Sequence, residues 1–387
     1  MEGVKIAFLH TNNNGVGYYR SWMVERWIKK LGLAETFRMP DELKGVCWTK
    51  EHNTTDFPAM EEMFEWADVL LIQRFETLEH IAYCEAMRDM FKTKMVMDID
   101  DNVVDMSPDN PAFDMFQRNV EDTIHMSPVP LVEGSTPIKV DTEKGPMYMN
   151  VVRPSIRVVA LMQMKRSDAI ITSTPGLKRA YADYSPDIRV VMNAIDAEDY
   201  APAPKRRDGT VRIGWAGGAA HYQDLSTVAK ALSKVAGKYP QARFVFVNSP
   251  YDWRDVLPAA QVEEHPFVPI RAWPELLRSL QFDIGIAPLT ASPFNAGKSN
   301  IKFMEAASQR TPTVCSAVEP FLTSVVDGET GYIAHSEQEW VERISRLVEE
   351  EEERRRVGEN AYDEVMRSWT MEQRAHDWMR HFKEIVG

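Results

Sequence analysis

Residues 295–314 read Asn295-Ala-Gly-Lys-Ser-Asn-Ile-Lys-Phe-Met-Glu305-Ala-Ala-Ser-Gln-Arg-Thr-Pro-Thr-Val314. A small polar loop containing Gly297 runs into a helical segment, and Thr311-Pro312 ends it before an apolar strand over 313–317. Loop, helix, breaker and strand in that order are one unit of an alternating α/β chain. The pattern predicts a helix over 298–309 that carries Lys302 and Glu305 three residues apart on one face. Backbone amides at a helix start suit an anionic phosphate. Lys298, Ser299, Asn300 and Lys302 are therefore candidates to hold phosphates, and Glu305 to accept sugar hydroxyls, as in a nucleotide-sugar site. A solvated ion pair at an ordinary helix start accounts for the same residues about as well. Gly297-Lys298-Ser299 also resembles the end of a P-loop, but the earlier glycine of that motif would fall on Ser292.

The alternation extends in both directions. Around the opening stretch, strands are predicted at 211–215, 243–247, 282–287 and 331–334, and helices at 222–238, 274–281, 336–357, 359–368 and 371–386. The N-terminal half repeats the scheme, with strands at 4–10, 67–73, 94–99, 169–173 and 188–195 and helices at 18–31, 78–91 and 151–165. The expected fold class is α/β, with a parallel sheet and covering helices in each half. Between the halves, residues 197–210 (AEDYAPAPKRRDGT) hold two prolines, a charge cluster and Asp208-Gly209, and read as a linker. Residues 105–150 are rich in Pro, Met and acids without a clear period, and are expected to form an irregular insertion that serves as a lid or substrate loop.

At 387 residues the chain is long enough for two domains with separate cores. Its 44% hydrophobic and 27% charged residues are those of a soluble globular protein. No apolar run is long enough for a transmembrane helix, and Met1-Glu-Gly-Val-Lys5 lacks the layout of a signal peptide. Cys47, Cys84 and Cys315 are scattered thiols, so a reducing, cytoplasmic location is expected. A net charge of −13 argues against broad nucleic-acid binding. The run Glu349–Arg356 (EEEEERRR) reads as a solvated helix.

Two glycine turns follow the first strand of each half. One contains Gly15 and Gly17, the other Gly217, Gly218 and His221. Glycine lets the backbone approach a ligand closely, and ligands of open α/β sheets sit beyond the carboxyl ends of strands. Tight strand–helix packing explains each turn equally well alone, but two of them favour a cleft between facing halves. Neither matches the dinucleotide pattern GxGxxG, which sets a dehydrogenase aside. Asp100 and Asp101 follow a strand end, Met97-Asp-Ile-Asp-Asp101, and are candidates to orient or deprotonate an acceptor hydroxyl or to hold a divalent metal, while capping of the next turn and solvation account for them about as well. His221 could donate to a phosphate or leaving group. Phe267 and Val268 are candidates to flank a base, whereas Trp273 reads first as packing. The histidines show no metal-binding spacing.

Together these features resemble the GT-B glycosyltransferases, in particular the retaining group with a Glu-x7-Glu signature. The specific likeness lies in Phe282-Asp-Ile-Gly-Ile-Ala-Pro-Leu289, in Lys298–Val314, and in Asp327-Gly-Glu-Thr-Gly-Tyr332. The resemblance implies two Rossmann-like domains facing across a cleft: an acceptor-side domain at 1–196, a donor domain at 211–370, and a final helix at 371–387 that returns to the first. It implies a UDP- or GDP-sugar donor, no tightly bound cofactor and no metal requirement. The acceptor would be a glycan, a protein or modified DNA such as phage hydroxymethylated DNA. It places Asp100, Asp101 and His221 at the reaction and Glu305 on the ribose. Two departures stand out. The first signature glutamate would fall on Gly297, and the Arg and Lys of the family's first C-terminal loop are absent from Ala216–His221. Lys298 and Lys302 are expected to take over the phosphates, as in a variant K-S-x-x-K-x-x-E branch of phage and bacterial surface-sugar enzymes. A binding protein without turnover and a nucleotide-sugar epimerase of the same fold are the alternatives.

Overall fold

The computed structural model describes residues 3–10, 15–38, 57–75, 78–108, 110, 113–117, 124–127, 138–142, 145–151, 155–206, 208–218 and 221–387. Cys47 and turn residues 11–14, 219 and 220 lie outside them. The strands, in chain order, are β1 Lys5–Leu9, β2 Glu35–Arg38, β3 Val69–Gln73, β4 Lys94–Ile99, β5 Ile124–Ser127, β6 Ile138–Thr142, β7 Gly145–Val151, β8 Ala169–Thr172, β9 Ile188–Val190, β10 Val211–Ala216, β11 Ala242–Val247, β12 Val262–His265, β13 Ile284–Ala287, β14 Thr313–Ser316 and β15 Tyr332–Ala334.

Twelve of these strands build two six-stranded sheets, ordered β2-β1-β3-β4-β8-β9 and β12-β11-β10-β13-β14-β15. Every neighbouring pair within them is parallel. Parallel strands need crossover helices that cover both faces. Strands such as β3 (VLLIQ) and β13 (IGIA) are therefore apolar and buried throughout. The strand order reverses between β1 and β3 in one sheet and between β10 and β13 in the other. At such switch points the crossovers leave to opposite faces and open a crevice for ligands.

Segment 105–150 departs from the expected irregular insertion. Its described part holds a three-stranded antiparallel sheet, β5-β7-β6. Neighbouring antiparallel strands satisfy each other's backbone groups without a helix between them. A search for strand–helix alternation therefore passes over them.

The chain crosses between the halves twice, and the two crossings pair. Ile195 N donates to Trp369 O at 3.0 Å and Met371 N to Ile195 O at 2.9 Å. A capping box at Thr370 and Gln373 then starts the last helix, Met371–Val386. Its buried face, with Met371, Ala375, Trp378 and Phe382, packs on Phe8, Met23 and Trp27 of the first half.

The halves also touch directly beside the cleft. Thr174 Oγ1 donates to Gly297 O at 3.0 Å, and Asn102 Nδ2 to Pro293 O at 3.3 Å. A Cβ on Gly176 would stand 2.3 Å from Ala296 O, a backbone atom with no side-chain freedom to yield. Gly176→Val is expected to destabilise the protein by about 1–3 kcal/mol through this overpacking. Gly237→Ala, at a helical site with nothing within 4 Å, is expected to be neutral or stabilising. Urea unfolding of both variants checks the contrast, and equal stabilities would contradict the close contact.

Candidate functional site

The carboxyl ends of the two sheets face each other across a cleft of about 420 Å³, within the size range of small-molecule sites. The first half contributes Gly15, Asp100 and Asp101 to its walls. The second contributes Gly217, Gly218, His221, Phe267, Val268, Lys298, Ser299, Lys302 and Glu305. Two expected residues lie elsewhere. Gly17 lines a small neighbouring recess with Tyr18 and Trp22, and Asn300 is buried as the N-cap of the next helix. That helix runs Ile301–Ser308, later than the expected 298–309. Ser292 caps a separate short helix, Pro293–Ala296, and Gly297 ends it, so residues 297–300 form a turn. Lys298 and Ser299 therefore sit on the loop before the helix, while Lys302 and Glu305 lie within it.

Glu305 is held by three donors on a single oxygen. Tyr19 Oη and Trp273 Nε1 donate to Oε1 at 2.7 and 2.8 Å, and Tyr200 Oη at 3.3 Å. The two tyrosine hydroxyls lie 2.6 Å apart, and since each carries one proton, Tyr200 shares its own between Tyr19 Oη and the more distant Glu305 Oε1. These donors come from the first half, the crossing segment and the second half. Tyr19 lies on a π-helical turn, Tyr18–Trp22, a distortion often found where side chains must be re-aimed for function. Burial pushes the Glu305 carboxyl up, against the opposing pull of Tyr19, Lys302 and Trp273. No protein donor reaches Oε2 among the described residues, and the residue lines the cleft, so this oxygen can accept from a ligand.

Lys302 Nζ donates to Ala216 O at the end of β10, 2.6 Å away, and lies 5.1 Å from the Trp215 ring centre. Burial, aided by Lys298 and opposed by Glu305, lowers its pKa to about 8. Lys298 Nζ crosses the cleft to Asp101 Oδ1 at 2.6 Å. Burial acts against the Lys298 charge, but Asp101 outweighs it and raises the pKa. Lys298 in turn holds the Asp101 carboxyl below its usual range. Burial and the neighbouring Asp101 and Asp98 raise Asp100 to about 7. The two adjacent carboxyls thus shift in opposite directions, because the lysine hydrogen-bonds Asp101 and acts on Asp100 only from a distance.

His221 Nδ1 lies 2.7 Å from Asp224 Oδ2. Asp224 Oδ1 accepts from Thr290 N at 2.8 Å, Thr290 Oγ1 at 3.0 Å and Asn295 Nδ2 at 3.0 Å. Burial works against Asp224 ionisation, but the hydrogen bonds from His221 and Thr290 prevail and lower its pKa. An ionised carboxylate only accepts, so Nδ1 carries the imidazole proton. Burial, with Lys302 and Lys298 nearby, lowers the His221 pKa to about 4. The ring is therefore neutral at physiological pH, and Nε2 is an acceptor.

Tyr19, Tyr200 and Asp224 escape the sequence reading. The i,i+3 spacing of His221 and Asp224 was a usable signal, whereas nothing local marks the tyrosines, which meet Glu305 only through the fold. Among the described residues no group of three His, Cys, Asp or Glu side chains is placed to hold a metal ion.

Residues 226–380 match the family model described as glycosyl transferase-like. Two D-inositol 3-phosphate glycosyltransferases, from Corynebacterium aurimucosum and Stackebrandtia nassauensis, are 24% and 26% identical over 241 and 247 residues. The matches cover 55% and 56% of this chain and 56% and 55% of those proteins, so the chain spans about half the length of the curated relatives it matches. A glycosyltransferase from Rickettsia africae superposes with a TM-score of 0.63 at 9% identity, covering 100% of this chain and 99% of its own. Sucrose-phosphate synthase from Thermosynechococcus elongatus gives 0.62 at 13% identity, covering 99% of each chain. Anabaena HepE, in complex with UDP and glucose, gives 0.60 at 11% identity, covering 99% of this chain and 100% of its own. At such identities the likeness is one of fold: the chain has the two-domain α/β architecture of the GT-B glycosyltransferases.

Proposed function

We propose that this protein transfers a sugar from a nucleoside diphosphate sugar to an acceptor hydroxyl, with the donor along the second half of the cleft. One observation carries the reading: a half-buried carboxylate on the cleft wall, Glu305, with one oxygen engaged by Tyr19, Tyr200 and Trp273 and no protein donor on the other among the described residues. It lies one turn from Lys302 and two from the Lys298–Ser299 loop. A ribose hydroxyl on Oε2 puts the diphosphate on the two lysines and leaves the base toward Phe267 and Val268. UDP and glucose, the ligands named for HepE, are the first donor components to try, with GDP as the alternative base.

In this reading residues 1–196 receive the acceptor, 211–370 bind the donor, 197–210 link them and the 371–387 helix returns. Catalysis is electrostatic: the lysines stabilise the departing diphosphate, and the closed cleft positions the acceptor hydroxyl. The lysines supply the charge that a metal ion would otherwise bring. Retention of configuration is part of the proposal, with the departing phosphate taking the acceptor proton. Acceptors to test are glycans, proteins, modified DNA and, from the curated relatives' name, an inositol phosphate; the net charge of −13 disfavours DNA.

Titration of UDP and GDP by calorimetry tests the donor site. Lys298→Ala and Lys302→Ala are each expected to weaken binding by about 10–100-fold, as for loss of a charge-assisted phosphate contact. Unchanged affinity in both would refute the phosphate assignment. Lys302 adds a pH signature, since it titrates at about 8 in the free protein and bound phosphate favours its charged form. Below that pH the lysine is already charged and contributes no pH dependence of its own. As pH rises past it, binding requires proton uptake and affinity falls by up to about tenfold per pH unit. The fall should vanish in Lys302→Met.

A further inference from the structure

Beside Lys298 the cleft wall turns acidic. Asp100, Asp101 and His221 form its wall there, two carboxyl groups and a neutral imidazole with its acceptor nitrogen free of Asp224. Asp101 lies within hydrogen-bond distance of Lys298, at 2.6 Å. A diphosphate whose distal phosphate reaches Lys298 must therefore carry its next substituent, the sugar, beside the Asp100–Asp101 pair. The second half offers no carboxylate at position 297, where the surroundings are close. A Cβ on Gly297 would stand 2.9 Å from Leu177 Cδ2, 3.3 Å from Phe294 O and 3.4 Å from Asn102 Cβ, so a side chain there would press on both halves and the Leu177 methyl would have to move. The backbone there is an ordinary right-handed one, φ −81°, so the neighbours and not the backbone conformation disfavour a larger residue.

We propose that Asp101, supplied by the first half, reads the hydroxyls of the donor sugar together with His221, and that the paired acids restrict the donor to neutral sugars and exclude uronates. The inference rests on the donor site proposed above and changes the role of Asp101 from the acceptor to the donor. Carboxylates and a neutral imidazole nitrogen accept from hydroxyls. A sugar carboxylate brought beside them would meet like charge at short range. Asp100, raised to about 7 by burial and its acidic neighbours, can also donate from its protonated form near neutral pH. Lys298 is common to both roles: it holds Asp101 in the free protein and is expected to pass to the phosphate when the donor arrives.

The test compares UDP, UDP-glucose and UDP-glucuronate on the intact protein by calorimetry, with GDP, GDP-mannose and GDP-mannuronate as the parallel set. Wild-type protein is expected to bind the neutral sugar nucleotide at least tenfold more tightly than the uronate. Asp101→Asn is expected to weaken the neutral sugar nucleotide about tenfold while leaving the nucleoside diphosphate unchanged or tighter, because Lys298 is released. It should also narrow the gap to the uronate. Equal wild-type affinity for neutral and uronate donors would overturn the proposal, and that comparison needs no variant. So would an equal effect of Asp101→Asn on the nucleotide and its sugar form. Failure of both nucleoside diphosphates to bind would instead refute the donor site itself.

Discussion

Glu305→Ala is expected to lower affinity for the nucleoside diphosphate about 100-fold, a loss of about 2.7 kcal/mol. Hydrogen bonds to a charged partner are each worth about 1.5–3 kcal/mol when both groups are held in place. The variant removes the proposed acceptor for the ribose and a carboxylate whose charge favours the ionised Lys302. It also leaves Tyr19, Tyr200 and Trp273 without their shared oxygen. Glu305→Gln keeps an oxygen for these three but presents an amide donor to the cleft. It should therefore bind more weakly than wild type and fold more stably than the alanine variant. Unchanged nucleotide affinity in Glu305→Ala would remove the ribose from this carboxylate.

The second large effect lies beneath the site. Arg20, wholly buried, donates through Nε and Nη2 to Asp98 Oδ1 at 3.0 and 2.7 Å, and through Nη1 to Val191 O and Asn193 Oδ1. Its guanidinium also lies 4.7 Å from the Trp378 ring centre. One side chain thus ties β4, the segment after β9 and the returning helix. Arg20→Met is expected to cost about 3–5 kcal/mol, because it strands Asp98 as a buried uncompensated charge. Replacing Asp98 as well, in Arg20→Met/Asp98→Leu, should recover much of the loss. Burial already raises the Asp98 pKa against the pull of Arg20, and removing Arg20 raises it further. A carboxyl with a raised folded pKa favours the folded state below its unfolded pKa and loses that contribution as pH rises through the folded value. The variant's deficit should therefore shrink in acid. Urea unfolding over a pH series measures this, and a loss under about 1 kcal/mol at neutral pH would contradict the tie. Because Asp100 and Asp101 follow β4 directly, the same variant should weaken the cleft even where it folds.

The parallel sheets were legible because apolar runs alternate with amphipathic helices, and helix-covered strands leave that record in composition. The three-stranded sheet β5-β7-β6 was not, since its short strands pair locally amid prolines and methionines. Within the site, Lys298, Lys302 and Glu305 were visible from their spacing after a small-residue loop. Their partners were not: Tyr19 and Glu305 are separated by 286 residues, and Lys298 and Asp101 by 197. Contacts across a two-domain cleft leave no local pattern, so the residues that aim the site are harder to read than those that form it. Gly297 is the sharpest instance. Against the signature of the resembled group it stands where a glutamate is expected, whereas in the fold it is a contact point between the halves.

In the proposed function the cleft holds a nucleoside diphosphate with its ribose on Glu305 and its phosphates on the two lysines. A crystal structure of the protein with UDP, or with GDP if calorimetry selects that base, tests it most directly. A ribose hydroxyl is expected on Glu305 Oε2, with phosphate oxygens within hydrogen-bond reach of Lys298 and Lys302 and with Asp101 released from Lys298. A nucleotide bound with Glu305 Oε2 unoccupied and Lys298 still paired to Asp101 would contradict it.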